Sequence, residues 1–321
     1  MKIVLCSTHF PHCSETLRNH LPDDTIIACP AEEVLSATRD ADVVVPTMHR
    51  VDADIIRATS ARMIHQFGVG LEGVDIPAAT EQGIYVANVP GHEGTGNAAS
   101  VSEHAIFLML ALARKFPQAA ENVRNGVFGS PMGKGLLGKT VAILGVGSIG
   151  TELASRLRHF DMRLLGLKQH PSERVKEEYG FEFLGGQGDL SHVLAEADFV
   201  VLALPLTPHT REIINAPALA SMKNTAYLVN VGRGPVIDHD ALVTALANKD
   251  IAGAALDVFW DEPTDPADPL FKHNVIATPH TAGVTDLSYN DIARGLAANV
   301  NRLRAGEPPI NCVNLAEVQA K

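Results

Sequence analysis

The chain has 321 residues, a formal charge of −11 and 46% apolar residues. That length predicts two domains, and the composition excludes a disordered chain. The acidity argues against a nucleic-acid partner, because phosphate backbones would be repelled, and an anionic ligand would need a locally positive site.

No run of about 18 apolar residues appears, so no membrane partner is expected. The start, MKIVLCSTHF, reads as a first strand and not as a signal peptide. Ile3–Cys6, Thr25–Ala28, Val43–Pro46, Met63–Phe67 and Tyr85–Val89 are five predicted strands with helical segments between them. Strands alternating with helices imply a parallel sheet. The four cysteines, Cys6, Cys13, Cys29 and Cys312, lack paired spacing. They read as buried or incidental thiols of a cytoplasmic protein, with no metal site expected.

A polar, glycine-bearing loop from Pro90 to Ala99 breaks the pattern. Val101–Arg124 then reads as one long helix containing Pro117. A second series follows, with strands at Val141–Leu144, Leu164–Leu167, Phe199–Leu204, Ala226–Asn230, Ala254–Val258 and Val275–Ala277. Six strands with helices between them match a doubly wound sheet. A helix over Leu287–Ala305 and a short tail complete the chain.

Val141–Leu144 runs into Gly145-Val-Gly147-Ser148-Ile149-Gly150, and a helix is predicted over Thr151–Phe160. This is G-x-G-x-x-G between strand and helix, the context a dinucleotide-binding loop requires. Gly145 permits the tight turn, Gly147 lets a pyrophosphate approach the backbone, and Gly150 lets helix and strand pack closely. The phosphates would sit on the helix N-terminus, whose unpaired N–H groups and dipole favour negative charge. The next strand should end in an acid that binds the ribose diol. It ends in Lys168 instead, followed by Gln169 and His170. Lysine there either attracts a 2′-phosphate, favouring NADP over NAD, or is a solvated surface residue.

Three later segments place polar residues just past apolar strands. They hold Arg233 between two glycines, then Asp257 and Glu262 before Pro263, then His280 after Pro279. Each alone has a plain structural role: a loop salt bridge, a surface acid, a core histidine. Their succession at the ligand-binding edge of one α/β sheet favours chemistry.

With Phe67–Asp75, Asn88-Val-Pro-Gly91, Val101-Ser-Glu-His104 and Leu204-Pro-Leu-Thr207, these segments resemble the D-2-hydroxyacid dehydrogenase family over nearly the whole chain. The resemblance implies an α/β fold of two doubly wound parallel-sheet domains. A Rossmann dinucleotide-binding domain, 100–283, is inserted in a flavodoxin-like substrate domain, 1–99 and 284–321. It implies an oxidoreductase that moves a hydride between NAD or NADP and a small D-2-hydroxy acid/2-oxo acid pair, as a homodimer. Arg233 would pair with the substrate carboxylate and polarise the 2-oxo group. His280 would be general acid in reduction and base in oxidation, with Glu262 holding its imidazole. The backbone at Val69 and Gly70 would bind the substrate carboxylate. Gly145, Gly147, Ser148, Ile149, Gly150, Lys168 and Thr207 would hold the cofactor, with Asp257 at the nicotinamide carboxamide.

Formate dehydrogenases of this superfamily carry Gln where this chain has Glu262, so hydroxy-acid chemistry is favoured. The alternatives are a phosphite-type dehydrogenase and a dinucleotide-sensing binding protein on the same fold, which need not keep the whole catalytic set. The loop His92–Asn97 looks longer than the family's commoner form, so no one member's specificity is carried over.

Overall fold

The computed structural model describes residues 1–91 and 96–320, so most of the His92–Asn97 loop lies outside the described residues. The chain divides into two compact units, one made of Met1–Asn97 with Thr285–Lys321 and the other of Ala98–Val284.

The first unit contains β1 (Lys2–Leu5), β2 (Thr25–Ala28), β3 (Val43–Val45), β4 (Met63–His65) and β5 (Tyr85–Ala87). All pairings are parallel, in the order β2-β1-β3-β4-β5, the flavodoxin-like arrangement. β1, β3 and β4 are buried on both faces, which is why β1 and β3 read as near-continuous Val, Ile and Leu runs; β4 adds Met63, Ile64 and the buried His65. Residues from the end of the chain complete this unit. The helix Asp286–Arg304 packs against Pro11–His20. The Asn299 amide donates to the His65 ring at 2.9 Å and to the Ile310 carbonyl at 2.9 Å. Asn314 accepts from the Val86 N–H at 2.8 Å and donates to the Ile84 carbonyl at 3.0 Å.

The second unit contains β6 (Thr140–Leu144), β7 (Arg163–Leu167), β8 (Phe183–Gly185), β9 (Phe199–Leu202), β10 (Tyr227–Asn230), β11 (Gly253–Leu256) and β12 (Val275–Ala277). Its parallel order is β12-β11-β10-β9-β6-β7-β8, a Rossmann sheet extended by one strand. Progression reverses between β6 and β9, the switch point where such sheets bind ligands. Leu144 pairs with Leu202, Leu202 with Asn230, Asn230 with Leu256 and Leu256 with Ala277. The loops after β6, β9, β10, β11 and β12 therefore leave one edge at the same level.

Several boundaries depart from expectation. This sheet has seven strands, not six: β8 is three residues flanked by glycine and too short to show a period. The predicted helix Val101–Arg124 is two helices, Gly96–Ala113 and Phe116–Arg124. Lys115 between them adopts φ +52°, and Pro117 sits in the first turn of the second. Proline lacks the N–H and the room that a helix interior demands, so it fits only there. The helix predicted at Thr151–Phe160 runs from Ser148 to Leu157 with a 3-10 turn beyond it, and the tail forms a helix, Leu315–Gln319. Gly96–Ala113 is the one helix among the described residues long and apolar enough to cross a bilayer, but two-thirds of it is buried inside the fold. Its composition is that of a core helix.

Candidate active site

The loop after β6 separates its three glycines by function. Gly145 adopts φ +100°, and a Cβ there would lie 2.5 Å from the Ala203 carbonyl oxygen. A Cβ on Gly150 would lie 2.3 Å from the Gly145 carbonyl oxygen. Only at Gly147 would a Cβ meet nothing within 4 Å. Two glycines thus close the turn, and the third leaves space for a ligand to reach the backbone. Gly147 is also the N-cap of the helix Ser148–Leu157 and supplies no side-chain cap. The first-turn N–H groups at Ser148 and Ile149 lack intrahelical acceptors and suit a phosphate. These features fit a dinucleotide.

Lys168 follows β7 directly. Its ammonium donates to the Val146 carbonyl at 2.5 Å, so it lies against the glycine loop and is not a solvated surface residue. Thr207, past β9, opens a turn in which its N–H donates to the Thr210 hydroxyl at 2.8 Å.

Arg233 is set by its neighbours. A Cβ on Gly232 would lie 2.6 Å from the Leu204 carbonyl oxygen, and one on Gly234 would overlap the Phe259 carbonyl at 2.1 Å. Glycine on both sides is therefore obligatory for this path. Buried Asn230, the last residue of β10, accepts from the Gly232 N–H at 3.0 Å and donates to the Arg233 carbonyl at 2.9 Å. The guanidinium, half-buried, donates to the Gly232 carbonyl at 2.8 Å.

His280 and Glu262 meet. The imidazole Nδ1 donates to Glu262 Oε2 at 2.6 Å, while Glu262 Oε1 accepts from the Phe259 N–H at 2.9 Å. The carboxylate is thereby aimed by its own loop, and it fixes ring orientation and tautomer. His280 holds φ +53°, a left-handed conformation unusual for a side-chain-bearing residue. Its N–H donates to the Asp257 carbonyl at 2.8 Å.

Asp257, expected at the nicotinamide, is 1% exposed. Its carboxylate accepts from the Thr278 hydroxyl at 2.6 Å and from the Thr281 and Ala282 N–H groups at 2.9 Å each. It therefore shapes the loop that carries His280. The Thr278 hydroxyl spends its one proton on Asp257 and so accepts from His104 Nε2 at 2.9 Å. Burial pushes the His104 imidazole below its ordinary range, opposed by the Asp257 charge, and favours the neutral donor. Asn230, Thr278 and His104 are positioning residues to which the sequence alone assigned no role. Their signal was a polar residue at the end of, or inside, an apolar run.

Val69 and Gly70 lie in the other unit, in the loop after β4. Gly68 there adopts φ +131°, its carbonyl accepts from the Val89 N–H at 2.9 Å, and the Val69 carbonyl accepts from Asn88 Nδ2 at 2.6 Å.

Comparison with known proteins identifies the family. The model of the NAD binding domain of D-isomer specific 2-hydroxyacid dehydrogenases matches residues 106–282, more than half of the chain. A D-3-phosphoglycerate dehydrogenase of Methanocaldococcus jannaschii is 37% identical over 89% of this chain, which spans about half, 54%, of that relative's length. A glyoxylate reductase of Pyrococcus furiosus is 37% identical over 89% of this chain and 86% of its own. The crystal structure of an NADPH-dependent glyoxylate/hydroxypyruvate reductase from Sinorhizobium meliloti, in complex with NADP and malonate, superposes with a TM-score of 0.83. It is 28% identical and covers 99% of this chain and 97% of its own. On the matched domain, the shared fold and these identities, the chain belongs to the D-isomer specific 2-hydroxyacid dehydrogenase family.

Proposed function

We propose that this protein reduces a small 2-oxo acid to its D-2-hydroxy acid, and catalyses the reverse, with NADP(H) preferred to NAD(H). The observation that carries the reading is the 2.6 Å pair of Glu262 and His280, on the same sheet edge as the Arg233 loop and the dinucleotide loop. The bound nicotinamide supplies or accepts the hydride. His280, held through Nδ1, gives a proton from Nε2 to the developing alkoxide in reduction and takes it back in oxidation. Glu262 holds the ring in place through Nδ1. Arg233 pairs with the substrate carboxylate and draws charge from the 2-oxo group, both tasks for a planar fork of donors. In the first unit, the N–H groups of Val69 and Gly70 are the proposed carboxylate donors.

Cofactor preference rests on Lys168. A positive group beside the glycine loop attracts a 2′-phosphate, where an acid would repel it. A differential of ~1.4 kcal/mol is a tenfold preference. Because the ammonium also holds the Val146 carbonyl, Lys168→Gln, which keeps a donor and loses the charge, is the cleaner test than Lys168→Asp. Native kcat/KM should favour NADPH, and Lys168→Gln should erase most of that preference without loss of NADH turnover.

A second copy of the chain is the proposed partner. Phe128 and Met132, which follow the helix Phe116–Arg124, are 83% and 89% exposed, and a homodimer would cover them. The free thiols suit a reducing cytoplasm.

The decisive assay is a panel of 2-oxo acids and phosphite, with both reduced and both oxidised cofactors. Reduction of glyoxylate or hydroxypyruvate supports the reading. Oxidation of phosphite without turnover of any 2-oxo acid, or cofactor binding without turnover, overturns it.

A further inference from the structure

We propose that Asn88 is a positioning residue of the substrate carboxylate site, and that it acts by fixing the direction of the Gly70 N–H. This rests on the reading that Val69 and Gly70 bind the carboxylate through their backbone.

The loop after β4 is anchored by two consecutive carbonyls. Gly68 O accepts from the Val89 N–H at 2.9 Å, and Val69 O accepts from Asn88 Nδ2 at 2.6 Å. Both donors come directly after β5, the strand paired with β4. Asn88 must present its Nδ2 here, since its amide oxygen has no proton to give a carbonyl. A trans peptide is planar, with its C=O and N–H on opposite sides. Turning the Gly68 carbonyl toward Val89 therefore turns the Val69 N–H away from it. Turning the Val69 carbonyl toward Asn88 does the same to the Gly70 N–H.

Two successive N–H groups thus face away from residues 88–89, and neither donates to another described residue. Val69 itself is exposed. Consecutive outward N–H groups form a concavity that binds an anion. In a chain of net charge −11, this arrangement offers a local positive potential from backbone dipoles alone. The two anchors differ in kind. The Val89 bond is backbone to backbone and survives substitution. The Asn88 bond depends on one side chain, so the chain can lose the Gly70 donor by losing a single amide.

The test uses the full chain and oxalate, a carboxylate probe that cannot be reduced. Asn88→Asp is nearly isosteric, but its carboxylate cannot donate and would repel both the Val69 carbonyl and the substrate. Asn88→Ala removes the bond without adding charge. In both variants KM for glyoxylate and the inhibition constant of oxalate should rise together by about tenfold or more, while kcat stays within about threefold and NADPH affinity is unchanged. Asn88→Ser, whose hydroxyl still donates on a shorter arm, should recover part of the loss. Native enzyme that binds oxalate, with Asn88→Ala and Asn88→Asp binding it equally well, overturns the role of Asn88 and leaves the carboxylate site standing. Equal losses in kcat, KM and NADPH affinity would also overturn it, as the sign of general damage. A native protein that neither reduces glyoxylate nor binds oxalate overturns the site and the role of Asn88 together.

Discussion

His280 sits at φ +53°, a conformation that costs of order 1–3 kcal/mol in a non-glycine residue and persists only where its surroundings impose it. The surroundings are the Asp257 carbonyl on its N–H and Glu262 on its ring. His280→Ala should lower kcat by ~10²–10⁴-fold with NADPH binding intact, read by steady-state rates and fluorescence titration. Glu262→Gln should lower kcat for reduction at fixed pH with NADPH binding intact, because the ring loses the carboxylate that holds its Nδ1. An unchanged kcat would remove Glu262 from the chemistry. A different histidine governs acid stability. His65 is fully buried, and burial pushes its pKa down to about 4, opposed by its bond to the Gln66 carbonyl. In the unfolded chain histidine titrates near ~6.5, so the unfolded state gains a proton first as pH falls. Stability is fully present above ~6.5 and is lost on the way down to about 4, with about 2 kcal/mol gone by pH 5. Urea unfolding at pH 7 and pH 5 should show this drop in the native chain and a smaller one in His65→Gln; equal drops would place the loss elsewhere.

At the scale of elements, the glycine loop separates folding from binding within six residues. Gly150→Ala drives a methyl group into the Gly145 carbonyl, an overpacking that costs ~1–3 kcal/mol. Gly147→Ala enters open space, so it should melt like the native protein yet bind NADPH more weakly. Thermal melts and cofactor titration of the two variants should give opposite patterns. The packing roles of Gly145 and Gly150 were legible in sequence because each follows from spacing within one turn. Most strands were legible because burial on both faces writes itself as apolar runs, as in β3, β6 and β9. The break at Lys115 was hidden because Ala, Leu and Arg favour helix on both sides, leaving Pro117 as the only marker. The supports of the His280 loop were hidden for another reason. His104 and Thr278 are 174 positions apart, and no local pattern encodes a contact at that distance. The same holds for Asn88 and Val69, which meet only because β4 and β5 pair.

For the whole molecule, the proposed homodimer makes a simple claim about mass. Light scattering should give twice the 34.2 kDa of one chain, and Phe128→Asp with Met132→Asp should return the monomer; a native monomer would rule the pairing out. The division into units has a different consequence. The first unit is built from Met1–Asn97 and Thr285–Lys321, with the whole second unit threaded between them. A growing chain therefore leaves the ribosome with its first sheet unfinished. His65 waits for Asn299, and β5 waits for Asn314. At about 5–20 residues per second, the wait for the intervening segment Ala98–Val284 lasts roughly 10–40 s. The second unit has no such dependence, since it is continuous and owns its core. It should fold first although its synthesis begins later, and the first unit should close last, around a loop whose ends are already held by a folded body. Protease challenge of chains arrested at Val284 should find Ala98–Val284 resistant and the leading segment cut. For those seconds the leading segment's Val- and Ile-rich strands are exposed, which makes the 37 residues Thr285–Lys321 the step that removes an aggregation hazard.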